Sequence, residues 1–339
     1  MRIALDAMGG DHAPGPIVAG AVQAVRADPE LQVVLVGDQT QIEACLHELG
    51  GAPERLEIFH ASQVVGMDES PVEALRKKPD NSITRCWQKL ALHEVDGIVS
   101  AGNTGAMVAG GLLTKRFLKC VERPGIAAVM PSFAGPCVVL DVGANIAPKP
   151  EHLFQYGVMG SIYARLVLGK DQPKIGLLNV GEEDSKGNPL AKKTHQLFNS
   201  SPLKDQFIGN IEGRDIHRGK CDVVVCDGFT GNVVLKLSEG VFEFVMKMMG
   251  KELAETLQAE KHLGMQAIQN LIGRYDYSET GGAPLLGVDG ICIICHGSSG
   301  ERAIFNALGV AARGVRLRLN EQIVRELEKL PAVDNQPSR

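Results

Sequence analysis

Eight short apolar runs punctuate the sequence, and most close in a glycine-bearing turn that opens onto a helical pattern. They are "RIALDAMGG", "LQVVLVGD", "RLEIFHA", "GIVSAGNTG", "CVVLDVGAN", "KIGLLNVGEE", "DVVVCDGFTGN" and "GICIICHGSSG". Strands alternating with helical segments predict a mostly parallel sheet covered by helices on both faces. Runs that are apolar throughout, such as "CVVL" and "CDVVVC", suit strands buried on both sides. No internal repeat, low-complexity tract or linker divides the chain. Residues 1–331 read as a single α/β unit, with a polar tail at 332–339.

With 44% apolar residues in 339, the chain has ample material for one large core. The formal net charge of −5 argues against nucleic acid, which calls for a basic footprint. The start, "MRIALDAMGG", lacks the ~7–15-residue apolar core of a signal peptide. No run reaches the roughly 18 apolar residues of a membrane span. A cytoplasmic location is expected, with the eight cysteines as reduced thiols.

That expectation bears on Cys292-Ile293-Ile294-Cys295-His296, which fits the C-x-x-C-H pattern of c-type haem attachment. Such attachment belongs to an exported, oxidising setting, and no second C-x-x-C pair accompanies the first to make a zinc site. "ICIIC" is therefore read as a buried strand and "HGSSG" as its turn, followed by a helix over "ERAIFNALGVAARGVRLRL". All eight cysteines are read as packing residues.

Residues 230–274 read as helix for most of their length. Val234, Leu237, Val241, Phe244, Val245, Met248 and Met249 mark one face. Gly240, Gly250 and Gly264 are read as bends or ends. A helical excursion of this length between two strands is expected to project from the sheet. It reads either as a core-packed pair, as a dimer interface, or as a surface that touches membrane.

Chemistry collects in the turns. "DAMGGDHAP", "SAGNTGA", "LDVGAN", "NVGEEDSKGN", "CDGFTGN" and "HGSSG" are expected to face one crevice at the carboxyl ends of the strands. "AGNTGA", "GFTGN" and "HGSSG" combine glycine with Ser, Thr or Asn ahead of a helix start, where free N–H groups favour an anion such as phosphate. There is no Walker loop, no G-x-G-x-x-G at the first turn and no G-x-S-x-G elbow. Lys186 stands beside Glu182, Glu183 and Asp184. It is either a solvated ion pair or the cation for an anionic group. Asp6, Asp11, Asp141 and Asp227 are bases, metal ligands or helix caps. Basic groups suited to an acidic partner are Arg76, Lys77 and Lys78; Arg214, Arg218 and Lys220; and Arg313, Arg316 and Arg318. Each cluster also reads as a solvated face.

These motifs, in order over nearly the whole chain, resemble the bacterial phosphate acyltransferases: "ALDAMGGDHAP", "SAGNTGA", "LDVGAN", "VGEEDSKGN", "CDGFTGN" and "GGAPLLG...HGSS". The resemblance implies a Rossmann-like α/β/α sandwich and a projecting helical pair. It implies a homodimer with weak contact at the inner face of the cell membrane. Members of the family use a hydrophobic tip for that contact, and here the matching segment "GKELAETLQAEKHLGM" is largely charged or polar. The implied reaction transfers a long-chain acyl group from acyl carrier protein to inorganic phosphate. The acyl phosphate would feed phosphatidic acid and phospholipid synthesis, through a downstream glycerol-3-phosphate acyltransferase.

By the same resemblance Lys186, Asp227 and Asn232 are the catalytic candidates. Asp6, Gly9, Gly10, Asp11, Gly102, Asn103, Thr104, Gly105, Asp141, Asn145, Thr230, Gly231, His296, Gly297, Ser298 and Ser299 carry over as substrate- or phosphate-binding candidates. In the implied scheme phosphate attacks the thioester directly, Lys186 neutralises phosphate or the developing oxyanion, Asn232 donates to phosphate or the carbonyl oxygen, and Asp227 orients one of them or helps keep phosphate dianionic. It needs no metal and no cofactor. The rival readings are a decarboxylating-dehydrogenase-type oxidoreductase of related layout and a non-catalytic scaffold.

Overall fold

The computed structural model describes residues 1–256, 261–275 and 281–330. The expected tail at 332–339 lies outside them, as do residues 257–260 of the polar segment between the two long helices. The first third alternates strand and helix: β1 (Arg2–Asp6), α1 (Gly15–Ala27), β2 (Gln32–Gly37), α2 (Gln39–Glu48), β3 (Leu56–His60), α3 (Pro71–Lys77), α4 (Ser82–Ala91), β4 (Gly97–Ser100) and α5 (Thr104–Thr114). A second alternation follows: β5 (Gly125–Met130), β6 (Cys137–Leu140), α6 (Pro150–Leu166), β7 (Ile175–Leu178), α7 (Pro189–Asn199), β8 (Phe207–Ile211), α8 (Gly213–Arg218) and β9 (Val223–Val225). Then come the long helices α9 (Gly228–Thr256) and α10 (Lys261–Tyr275). The chain returns through β10 (Ala283–Leu286), β11 (Ile291–Ile294), α11 (Glu301–Arg316) and α12 (Leu319–Glu328).

Helix starts follow local chemistry. Asp38, Asn81, Asn103 and Asn188 cap α2, α4, α5 and α7 by accepting a backbone N–H two or three residues into the helix. Proline opens α1, α3 and α6, where its missing N–H costs nothing. The helix expected after "HGSSG" is two helices, because Arg318 takes a left-handed conformation between α11 and α12.

All eleven strands form one sheet, ordered β3-β2-β1-β4-β11-β10-β5-β6-β9-β7-β8. Successive strand residues alternate between two cores. Ile3, Leu5, Val33, Leu35, Val138, Leu140, Val223 and Val225 pack on one side. Ala4, Val34, Val36, Val139 and Val224 pack on the other. The period of two puts every second side chain on the same face, so continuous apolar runs bury both faces, as an α/β/α sandwich requires.

The same alternation disposes of the haem pattern. Cys292 lies in one core and Cys295 in the other, so their sulfurs point to opposite faces of the sheet. Burial pushes the Cys295 thiol up to about 12, and Cys292 higher. Six of the eight cysteines are buried, but Cys45 is only partly so and Cys120 is exposed, so the packing role does not extend to all eight.

Seven of the ten strand pairings are parallel. The three antiparallel ones, β11–β10, β10–β5 and β5–β6, are consecutive. Three reversals leave β6, β9, β7 and β8 running opposite to β3, β2, β1, β4 and β11. The sheet is thus two parallel blocks of opposite direction, spliced through β10 and β5.

α9 is longer than expected. It starts at Gly228 and runs unbroken through Gly240 and Gly250, and Gly264 lies inside α10, so none of the three ends a helix. At 1.5 Å per residue its 29 residues span about 43 Å. Only Gly228, Gly231 and Met246 of α9 are buried. Leu237, Val241, Phe244 and Met248 are exposed, so this face does not pack into the core of its own chain. Among the described residues no helix is long and apolar enough to cross a membrane.

Candidate active site

Strand direction divides the six glycine-rich turns into two sets, one per block. The turns therefore belong to two sets of carboxyl ends rather than to one. The turns after β1, β4 and β11 form the first set, and those after β6, β9 and β7 the second.

In the first set Asp6 is the internal tie. It has no solvent exposure. It accepts hydrogen bonds from Ser100 Oγ at 2.6 Å and from the Met8 N–H at 3.2 Å. Burial raises its pKa above the ordinary value, against these bonds, which favour the charged form. A Cβ at Gly9 would press on the Asp6 carboxylate and lie 2.6 Å from the Gly102 nitrogen, so the first two turns touch only because both carry glycine there. The Asp11 N–H donates to the Gly297 carbonyl at 2.7 Å, joining the third turn. Asn103 caps α5 through Ala106 and donates to the carbonyls of Gly66, Met67 and Glu69. Gly9, Gly102, Asn103, Gly297 and Ser299 are buried, Gly10 and Gly105 partly so, and Asp11, Thr104, His296 and Ser298 face solvent. His296 Nδ1 and Ser298 Oγ stand 2.8 Å apart. Ser299 Oγ is buried with no hydrogen-bond partner among the described residues.

In the second set Asp141 plays the part of Asp6. It too has no exposure. It accepts the N–H groups of Ile126, Gly143, Ala144 and Asn145 at 2.7–3.1 Å. Burial raises its pKa although all four donors pull it down. Neither Asp6 nor Asp141 reaches solvent, so both correct the expectation of direct substrate contact: they hold the backbone that does the reaching. Asn145 is braced in turn by Pro124 O at 2.6 Å and Tyr156 Oη at 2.8 Å.

The first turn of α9 lies directly on this loop. Gly228 donates to Asn145 O at 2.8 Å, and a Cβ there would sit 2.7 Å from that oxygen. A Cβ at Gly231 would drive into the Asp141 carbonyl. Asp227 is the cap of α9: its oxygens accept Thr230 N–H at 2.9 Å and Thr230 Oγ at 2.7 Å. The carboxylate is therefore engaged with Thr230 rather than with Lys186 or Asn232, as had been expected. The N–H groups of Gly228, Thr230 and Gly231 are already spent inside the protein. Asn232 is exposed, one turn into α9, beside Gly143.

Lys186 is exposed, and among the described residues its ammonium has no ion-pair partner. Of the neighbouring acids, Glu182 is taken by Lys220 at 2.9 Å and Asp184 by His195 at 3.2 Å, while Glu183 has no ion pair among the described residues. The solvated-pair reading therefore does not describe it. Its loop is held by asparagines. Asn179 donates to Lys186 O, Asn210 to Glu183 O, and Asn188 caps α7. Gly187 takes a left-handed φ of 90°, and a Cβ there would lie 2.5 Å from Asn179 Oδ1. The sequence reading passed over Asn179, Asn210 and Tyr156. Asn179 stands inside a quoted motif, whereas Asn210 and Tyr156 have no local signature.

The basic clusters are mostly neutralised within the chain. Lys77 pairs with Glu73, Lys78 with Glu69, Arg214 with Glu212, Arg218 with Asp215, Arg316 with Asp28 and Arg318 with Glu321. Arg76 and Arg313 have no ion pair among the described residues. No group of three or more His, Cys, Asp or Glu side chains is gathered among the described residues as for a metal ion.

The model of a family described as fatty acid synthesis protein matches residues 1–322. A phosphate acyltransferase of Heliobacterium modesticaldum is 49% identical over 319 residues, covering 93% of this chain and 94% of that one. One from Geobacter sulfurreducens is 45% identical, covering 97% and 94%. Among solved structures, a phosphotransacetylase from Streptococcus pyogenes superposes with a TM-score of 0.62 at 18% identity, covering 93% of this chain and 94% of that one. A branched-chain phosphotransacylase from Enterococcus faecalis V583 gives 0.55 at 16%, covering 93% and 99%. The two solved structures share the α/β fold.

Proposed function

The chain belongs to the phosphate acyltransferases, an enzyme family of acyl transfer, and from that premise we propose that it moves a long-chain acyl group from the thioester of acyl carrier protein to inorganic phosphate, at the second set of turns. The observation that carries the placement is Lys186: an exposed ammonium without an ion pair among the described residues, on a loop where Glu182 and Asp184 are engaged elsewhere. A cation left free in this way is available to an anionic substrate and to charge that develops during reaction.

In this reading phosphate rests against Lys186. One of its oxygens attacks the thioester carbonyl carbon, forming a C–O bond and a tetrahedral oxyanion. Collapse breaks the C–S bond. The acyl phosphate departs, and the carrier thiolate takes up a proton. Asn232 donates to phosphate or to the oxyanion. Asp227 is a positioning residue, acting through the first turn of α9, and Asp141 positions the loop beneath it. The turns of the first set, with His296 and Ser298 exposed, belong to the binding of the rest of the substrate. No covalent acyl-enzyme is needed, because phosphate is the nucleophile.

The exposed apolar face of α9 is assigned in the same reading to contact between two copies of the chain. The acyl phosphate passes to a glycerol-3-phosphate acyltransferase, and residues 1–331 act as one catalytic unit in the cytoplasm with at most weak membrane contact.

The test is phosphate-dependent release of carrier thiol, with acyl phosphate trapped by hydroxylamine. Lys186→Ala is expected to lower kcat/KM on the order of 100-fold or more while the fold is retained. A well-folded wild-type protein that releases no thiol in response to phosphate overturns the reading.

A further inference from the structure

The second set of turns carries three large apolar side chains that its polar chemistry does not use. Ile146 is 75% exposed, Val180 81% and Phe229 66%. Single exposed apolar residues are ordinary and need no explanation. These three share a placement. They leave β6, β7 and β9, which are adjacent in the sheet in the order β6-β9-β7 and run the same way. Ile146 and Val180 stand in the connection after their strand, and Phe229 in the first turn of α9, just beyond β9. Two flank a polar site residue directly, Ile146 after Asn145 and Phe229 before Thr230, and Val180 follows Asn179 at the start of the loop that carries Lys186. The Gly228-to-Asn145 hydrogen bond of 2.8 Å draws the Ile146 and Phe229 backbones together. Val233, one turn along α9 from Phe229 and also exposed, continues the apolar surface away from the polar centre.

We propose that Ile146, Val180 and Phe229 form an apolar rim around the polar centre and receive the acyl chain of the thioester substrate. The inference rests on the acyl-transfer reading of this site. Continuity argues for that occupant. The thioester carbonyl must approach Lys186 and Asn232, and the first methylenes of the chain then lie within a residue or two of the rim. Apolar surface left open beside a charged centre is what an amphiphilic substrate with a polar head and an alkyl tail would cover.

The experiment compares kcat/KM for acyl carrier protein thioesters of about four to sixteen carbons, since each methylene in an apolar site adds discrimination. Wild type is measured against Ile146→Ser, Val180→Ser, Phe229→Ser and the triple variant, with Phe229→Leu as the conservative control. The expected result is a loss that grows with chain length, from roughly twofold at the short end to on the order of tenfold or more at the long end. Phe229→Leu should recover most of the long-chain rate. The side chains are exposed, so the single variants should fold, which circular dichroism checks. An equal loss at every length, or a changed oligomeric state of the variants in sedimentation, overturns the rim and leaves the reaction standing. A wild type inactive on every thioester overturns both.

Discussion

Two buried carboxylates, Asp6 and Asp141, organise the turns without touching solvent, and their neighbours are glycines because nothing larger fits. Gly231 is the sharpest case. A methyl group there meets the backbone carbonyl of Asp141, which cannot rotate away as a side chain would. Gly231→Ala is expected to cost about 1–3 kcal/mol by overpacking, measured by chemical denaturation, and to lower activity through displaced Asn232. Asp6 carries a pH signature. Its folded pKa lies above the ordinary 3.8, chiefly through burial. The folded chain therefore binds the proton more tightly than the unfolded chain. Its stabilising contribution is complete below 3.8 and is lost as pH rises through the raised folded value. Asp6→Asn should flatten that part of the stability–pH curve in denaturation series run at successive pH values. An unchanged slope would mean that Asp6 titrates alike in both states.

At the level of the element, α9 shows how one residue serves as both cap and candidate. Asp227 accepts from the backbone and hydroxyl of Thr230. Asp227→Ala should cost about 1 kcal/mol, and Asp227→Ser, which still caps, should restore most of it in thermal and chemical unfolding. Helices and strands were largely legible in the sequence because their signals are local: apolar period, glycine turns, Asn and Asp caps. What escaped was long-range. That Gly240 and Gly250 do not interrupt α9 follows from the helix continuing across them, which a breaker rule cannot foresee. Asn210 supports the Lys186 loop from β8, a strand whose pairing with β7 no motif announces. Lys186 itself was visible as a candidate, but its lack of a partner was not. That depended on Lys220 and His195 arriving from elsewhere to claim two of its acidic neighbours, Glu182 and Asp184.

At the scale of the molecule, the face of α9 gathers several exposed apolar side chains, with Leu237 and Phe244 both about two-thirds exposed. On the proposal that this face joins two copies, Leu237→Glu is expected to shift the sedimentation of the protein from dimer toward monomer by placing charge in that contact. A variant that sediments as wild type would remove α9 from the interface. The alternating pattern conveyed a mostly parallel sheet, yet it was silent on direction. The reversal comes from β10 and β5, strands whose partners are settled only in the folded chain. That splice also sets an order of assembly. β4 ends at Ser100, but its neighbour on the open side is β11, which begins at Ile291. As the polypeptide leaves the ribosome, the N-terminal block waits with a bare, apolar strand edge until nearly all the remaining chain has emerged. Until then that edge is a template on which another strand could pair.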